Sequence, residues 1–405
     1  KFNFIYSLVY TFQAFMCFFI FYGMYTINSL AEIEYEMFFI FKIILILTTV
    51  ATLVGFSIFL IQNEITVKFP FEKLPQIFKD TAESEYILGV VQKDTGVRFE
   101  GIFTNPNIMA FYCSVSLVFC HILVVSKNFF KIKSKTLLFI TISTCVIANF
   151  IALILSDSYA SFIFLIVYVI CNLFYKIVAS GKNSSAKNYV FKSLIFILTG
   201  TFFTISLLVA RNYFQNGASD VISEISSFTS SSDINIDKNE YDIKFGRPNH
   251  DLSSGSGRKI LLKQAYVILK NNFIIGVGPT NLLYYGQKYF ESGLIFPNFH
   301  NGYVSILVSY GIIGFALFML FLILVFSNLL LLLFKNNKIL NKVYPLLFSV
   351  LVSYLVFALF EKTMLSENNF MCAFFWLMLG YATTYAFNTK FFMLKGKNKT
   401  AGEYK

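Results

Sequence analysis

The sequence predicts an all-α polytopic membrane protein, and three observations carry that reading. Hydrophobic residues make up 56% of the 405-residue chain and charged residues only 14%, with 51 Phe, well away from the composition of soluble globular domains. Runs of about 20 residues almost free of charge recur along it, the length a helix needs to cross a hydrocarbon core of roughly 30 Å. These runs must be helices, because an open sheet edge in lipid would leave backbone groups unpaired.

Taken in order, nine spans are expected, at about 4–26, 37–61, 105–125, 136–155, 159–178, 190–210, 302–334, 343–360 and 369–388. Lys1 rather than Met opens the chain, with no signal-peptide succession after it, so missing upstream spans are expected. Loops 126–135, 181–192 and 335–342 and the tail 390–405 are rich in Lys, which holds short loops in the cytoplasm. Segment 62–104, the turn Ser156-Asp157-Ser158, segment 211–301 and the turn 361–368 then face outside. The acidic 27–36 connection (Glu32, Glu34, Glu36) falls inside, where acidic residues have little say in orientation. The expected division is residues 1–210 with six spans and the outer loop 62–104, an extracytoplasmic loop 211–301, three spans in 302–389, and the basic cytoplasmic tail 390–405. Six cysteines lie in the spans at no metal-ligand or disulfide spacing and read as small buried hydrophobes.

Segment 255–314 breaks the apolar pattern and is the expected working part. Before it, the Ser-rich, acidic residues 219–242 read as a loop. Residues 258–271 put Ile260, Leu261, Leu262, Ala265, Ile268 and Leu269 at helical spacing among Lys263, Gln264 and Lys270. That spacing predicts a helix on or near the membrane surface, with Ser253, Ser254 and Ser256 as candidate caps. Gly276-Val277-Gly278-Pro279 follows as a break, and His300-Asn301-Gly302 leads into the next span. The GSG at 255–257 and GVGP at 276–279 read as turns, since neither has the Lys-Ser/Thr of a phosphate loop.

Arg98, Arg211, Arg247 and Arg258 are the only arginines, and all four fall on the predicted outer face. A guanidinium matches phosphate oxygens two at a time and stays charged, so this segregation fits a clamp for a pyrophosphate or an anionic sugar. The plainer alternative is chance, or pairing with the acidic residues of 220–242. Of three histidines, His121 and His250 read as packed or loop residues, whereas His300 stands where a helix meets the membrane and could take a proton from a hydroxyl. A helix-capping role is the alternative. No HExxH, DxD or carboxylate cluster suggests a metal. Glu361, Glu367 and Asp157, at outer span ends, could orient a donor or base.

Three features together resemble the O-antigen ligase and Wzy-type polysaccharide polymerase superfamily. SGRKILLKQAYVILKNNFIIGVGPTNL resembles its Arg, helix, Gly-x-Gly pattern, and FHNGYVSILVSYGIIG its His-Asn start of a span ending in Gly-Ile-x-Gly. Arg98-Phe99-Glu100-Gly101-Ile102-Phe103-Thr104-Asn105-Pro106-Asn107 is similar to its Arg, Gly and Asn-Pro-Asn signature. The long outer loop before three spans and a basic tail is the third. The likeness runs over about 98–390.

That resemblance implies a GT-C-like fold in a bacterial cytoplasmic membrane, with a site facing outside. It implies transfer of a glycan from undecaprenyl pyrophosphate to a glycan acceptor hydroxyl, without metal or cofactor. His300 would be the base, with Arg258 and Arg98 on the pyrophosphate. Arg247, Arg211, Asn105, Asn107, Asn301, Tyr303 and Glu361 are the implied substrate contacts. One departure stands out. The family often has Ser-Arg at the outer turn before the fifth span, but here Ser156-Asp157-Ser158-Tyr159 carries no arginine. Either Arg211 or Arg247 supplies that charge from elsewhere in space, or the clamp is smaller.

A polymerase joining repeat units of capsule, exopolysaccharide or O-antigen is the leading expectation. A ligase moving finished glycan to a lipid or wall acceptor is the alternative. A lipid-linked sugar flippase would call for charges inside several spans and repeat symmetry, which are nearly absent. The bilayer and other polysaccharide-assembly proteins are the expected partners, and nucleic acid is not one.

Overall fold

Apolar runs become helices nearly where hydropathy puts them. The computed structural model describes residues 12, 16–17, 19–20, 30–62, 64–68, 85–93, 96–103, 105–130, 132–176, 192, 194–202, 204–207, 209–214, 217, 258–290, 299–335, 343–365 and 370–402. Its elements, in chain order, are α1 (Leu30–Gln62), β1 (Glu64–Lys68), β2 (Glu85–Lys93), β3 (Gly96–Gly101), α2 (Pro106–Val125), α3 (Lys135–Leu155) and α4 (Tyr159–Phe174). They continue with α5 (Leu194–Phe214), α6 (Arg258–Asn271), α7 (Leu282–Tyr289), α8 (Gly302–Lys335), α9 (Val343–Phe357) and α10 (Phe370–Gly402).

Among the described residues five helices are long and apolar enough to cross a membrane, and α4, α9 and the Phe370–Ala386 part of α10 are shorter apolar helices. The chain is thus a mainly helical, polytopic membrane protein. The expected span 4–26 lies mostly outside the described residues, and the loop segment 219–242 and the capping serines 253, 254 and 256 lie wholly outside. All six cysteines are free thiols, and all but Cys171 are buried.

The described chain divides into two compact units. One comprises Lys1–Phe39, Ile163–Phe196 and Asp251–Lys405, the other Ile40–Phe162 and Ile197–His250.

The second of these units holds a feature that hydropathy does not show. Segment 62–104 contains an antiparallel sheet in the order β1-β2-β3, with Glu64 opposite Gly89 and Val91 opposite Arg98. Among the described side chains, those of β3 pack on a helix. Phe99 is fully buried against Phe56 and Phe59 of α1, with ring centroids 4.8 Å and 6.3 Å away. A Cβ on Gly55 would fall 2.6 Å from the Gly101 Cα, so the two backbones touch where β3 meets α1. Inside the same unit, Asn149 of α3 donates to Thr49 of α1 at 2.9 Å and accepts from Thr52 at 3.4 Å. Such polar ties between spans take the place of a hydrophobic drive that lipid does not provide.

In the first unit α1 begins seven residues before the expected span, so the acidic residues Glu32, Glu34 and Glu36 are helical rather than a connection. Its start is held from α10, where the buried Tyr385 donates to Glu34 at 2.9 Å and the buried Tyr381 to Glu36 at 3.2 Å. The Tyr354 hydroxyl of α9 reaches both the Thr363 and Met371 carbonyls, at 2.6 Å and 2.7 Å, which ties α9 to the start of α10. At its other end α10 stays helical into the basic tail.

The same unit contains a join in which two segments exchange backbone partners. Gly311 has φ 64 and ψ −172, which breaks α8 and deprives Ile312 and Ile313 of their usual partners four residues back. The loop after α6 fills the gap. Ile312 and Ile313 donate instead to the Phe273 and Ile274 carbonyls, at 2.8 Å and 3.4 Å. The freed Val308 and Ser309 carbonyls accept from Val277 and Gly278, at 3.0 Å and 2.8 Å. This accounts for the glycines. A Cβ on Gly276 (φ 78) would sit 2.4 Å from the Gly311 nitrogen, and one on Gly311 would sit 2.3 Å from the Ile274 carbonyl oxygen. Around this join Leu261, Ala265, Ile268, Val277, Leu282, Phe299 and Val308 form one buried cluster.

Candidate functional site

Two groups of predicted residues are assembled, one in each unit. In the second unit the centre is the turn between α3 and α4. Ser156 and Asp157 close the last turn of α3, Asp157 in a left-handed conformation (φ 52) that aspartate tolerates better than most residues. The carbonyls at such a helix end are unsatisfied and carry partial negative charge. Arg98 meets them. It alternates with the inward Phe99 along β3 and so points the other way. Its Nε donates to the Ser156 carbonyl at 2.9 Å, and one terminal nitrogen to the Asp157 carbonyl at 3.2 Å and the Asn107 side chain at 2.8 Å. Asn105 caps α2, its side chain accepting from the Asn107 amide at 2.8 Å ahead of Pro106.

Arg211 of α5 comes to the same turn. Its guanidinium pairs with the Asp157 carboxylate and lies over the Tyr159 ring, 4.2 Å from the centroid. Arg211 is 7% exposed and Asp157 fully buried. A guanidinium therefore occupies the turn that lacks an arginine in its own sequence. Arg247 and His250 lie outside the described residues.

In the first unit the 299–303 segment docks on the end of α9. Phe299 is buried and His300 adopts φ 45, a conformation costing a non-glycine residue on the order of 1–3 kcal/mol and concentrated at functional sites. Gly302 donates to the Ala358 carbonyl at 2.7 Å, and a Cβ there would come within 3.2 Å of that oxygen. The Asn301 side chain donates to the Leu359 carbonyl at 2.9 Å and accepts from the Val304 amide at 3.0 Å, capping α8. The Tyr303 hydroxyl donates to the Leu355 carbonyl at 2.9 Å. These bonds bring His300 to Glu361, with Nδ1 and Oε2 3.5 Å apart and side-chain exposures of 30% and 14%. Arg258, the first residue of α6, holds its guanidinium 5.4 Å from the centroid of Phe360, next to Glu361.

An imidazole, a carboxylate and a guanidinium thus meet around one turn, 358–361. An imidazole whose Nδ1–H faces a carboxylate carries its lone pair on Nε2, the arrangement of a general base. Among the described residues no group of three or more His, Cys, Asp or Glu side chains is assembled. Asn301 and Tyr303, expected as substrate contacts, are hydrogen-bonded to backbone. Phe360 was not singled out from sequence, its one signal being its neighbour Glu361, and Gly302 entered the reading only as part of His300-Asn301-Gly302.

Residues 144–319 match the O-antigen ligase family. That match supports the O-antigen ligase and Wzy-type polymerase superfamily, and with it processing of lipid-linked glycan in a membrane. The matched segment contains the α3–α4 turn, Arg211, Arg258, His300, Asn301, Tyr303 and both glycines of the α8 join, whereas Arg98 and Glu361 lie beyond it. No curated protein and no solved structure matches the chain.

Proposed function

We propose that this chain is a glycosyltransferase that polymerises undecaprenyl-pyrophosphate-linked oligosaccharide repeat units into capsule, exopolysaccharide or O-antigen at the outer face of the bacterial cytoplasmic membrane. The observation that carries the reading is the His300–Glu361 contact with the Arg258 guanidinium against neighbouring Phe360, His300 and Arg258 both lying in the segment that matches the family. His300 takes the proton of the acceptor sugar hydroxyl. The freed oxygen attacks the anomeric carbon of the donor, the bond from that carbon to pyrophosphate breaks, and the electron pair leaves with undecaprenyl pyrophosphate. A single displacement of this kind inverts the anomeric centre. Arg258 meets the charge developing on the leaving group, a role a guanidinium fills without a metal. Glu361 orients the imidazole, and Asn301 and Tyr303 shape the acceptor side. Arg98, Arg211, Asn105 and Asn107 form the second group of donor contacts, and Arg247 is a further candidate.

The family description favours a second reading, a ligase that moves finished glycan to a lipid or wall acceptor. Purified protein given a lipid-linked repeat unit and no other acceptor separates the two. Elongated lipid-linked product is the polymerase result, and turnover only after a second acceptor is added is the ligase result. If His300→Ala and Arg258→Ala both still made full-length glycan at normal membrane levels, the assignment of the site would fail.

A further inference from the structure

We infer that Phe273, Ile274 and Ile275 form a wedge that inserts into the lipid leaflet adjoining the α6–α7 end of α8. The inference rests on where α8 meets lipid and is independent of the reaction proposed above.

The break at Gly311 divides α8 into parts of different character. From Gly302 to Tyr310 none of the side chains is exposed, and Ile306 and Val308 are buried. After the break most of the exposed side chains are large and apolar, Ala316, Ser327 and Asn328 being the exceptions. Ile313, Leu317, Leu320 and Leu324 are 54%, 63%, 52% and 54% exposed. Their spacing of four, three and four residues puts them on one helix face, and in a membrane helix such a face is lipid-facing. The apolar part from Ile312 to Leu333 rises about 33 Å at 1.5 Å per residue, enough by itself for the hydrocarbon core. Ile313 therefore stands at the boundary where acyl chains begin.

Ile274 is joined to that residue, its carbonyl accepting from the Ile313 amide. At this level Phe273, Ile274 and Ile275 are 50%, 61% and 78% exposed, three consecutive large apolar side chains at the top of the lipid-facing row. Non-helical backbone survives at membrane depth only where its polar groups are paired. Here the Phe273 and Ile274 carbonyls and the Gly276, Val277 and Gly278 amides all have partners within the protein. Transferring three such side chains from water to lipid is favourable through the hydrophobic effect. Charge complements the placement, since the exposed Lys259, Lys263 and Lys270 of the preceding helix suit the phosphate level just above.

The test uses the full chain reconstituted in nanodiscs, with Ile275→Trp and, separately, Phe273→Trp, a smaller change at the same tip. The emission added over that of native Trp376 is read against two quenchers. Lipids brominated high on the acyl chain are expected to at least halve the added emission in both variants, with aqueous iodide having little effect. Quenching by iodide but not by brominated lipid would overturn the wedge. So would quenching by neither, which would mean that the tip is covered by protein.

Discussion

Arg211 and Asp157, 54 positions apart in sequence, form a buried ion pair under the ring of Tyr159. Removing one member of a buried pair strands the other and costs about 3–5 kcal/mol, whereas replacing both with apolar side chains can be neutral. Arg211→Met and Asp157→Asn, the latter keeping a residue that tolerates φ 52, are each expected to lower the thermal midpoint in detergent by several degrees. The double variant should recover most of the loss. Independent, additive losses would show that the two side chains do not depend on each other.

His300 combines a left-handed backbone with an imidazole, and the two can be separated. Asparagine tolerates φ near 45 and is close in size but is no base. His300→Asn is expected to match the parent in membrane level and thermal midpoint while glycan synthesis falls by about 10²–10⁴-fold. A variant that keeps synthesis within a factor of a few would remove His300 from the chemistry.

Glu361 touches His300 and no reacting atom, so it is a positioning residue in the proposed mechanism. Glu361→Gln should reduce turnover about 10-fold or more, with acceptor KM little changed. A raised acceptor KM with unchanged turnover would instead place Glu361 on the acceptor.

The two glycines of the α8 join predict an order of severity. Gly276→Ala and Gly311→Ala drive a methyl into backbone that cannot move aside, and each is expected to cost about 3 kcal/mol or more. Gly278→Ala shares a positive φ, but its new Cβ meets only the Asn281 side-chain nitrogen, at 3.2 Å, so about 1–2 kcal/mol is expected. Scanning fluorimetry of the three variants checks the ranking, and equal losses would contradict it.

Arg98 spans three acceptors that a lysine ammonium on a flexible stem cannot hold in one geometry. Arg98→Lys should cost about 2 kcal/mol despite keeping the charge. Unchanged thermal unfolding would mean that Arg98 does not brace the turn.

What the sequence makes legible here is what repeats within a helix turn or a run of apolar residues. The spans, the start of α6 at Arg258 and the break at Gly276 all belong to that class, because hydropathy and glycine act over a few neighbouring positions. The sheet in 62–104 escaped, since β1 has five residues and its placement depends on Phe99 and Gly101 meeting a distant helix. Contacts between remote positions escaped for the same reason. Arg211 reaches the α3–α4 turn, and Glu361 reaches His300, through packing that no local period records. The role of Gly311 was hidden too, because a glycine near the start of an apolar run looks ordinary until the loop that completes it is seen.

The exchange of backbone partners across Gly276 and Gly311 also sets a schedule for biosynthesis. The two glycines are 35 positions apart (311 − 276), so at roughly 5–20 residues per second the ribosome delivers the second about 2–7 seconds after the first. During that interval the amides of Val277 and Gly278 have only water to bind. The loop must therefore wait in an aqueous environment until α8 arrives, and the α6–α7 segment completes its fold after the next span has begun to insert.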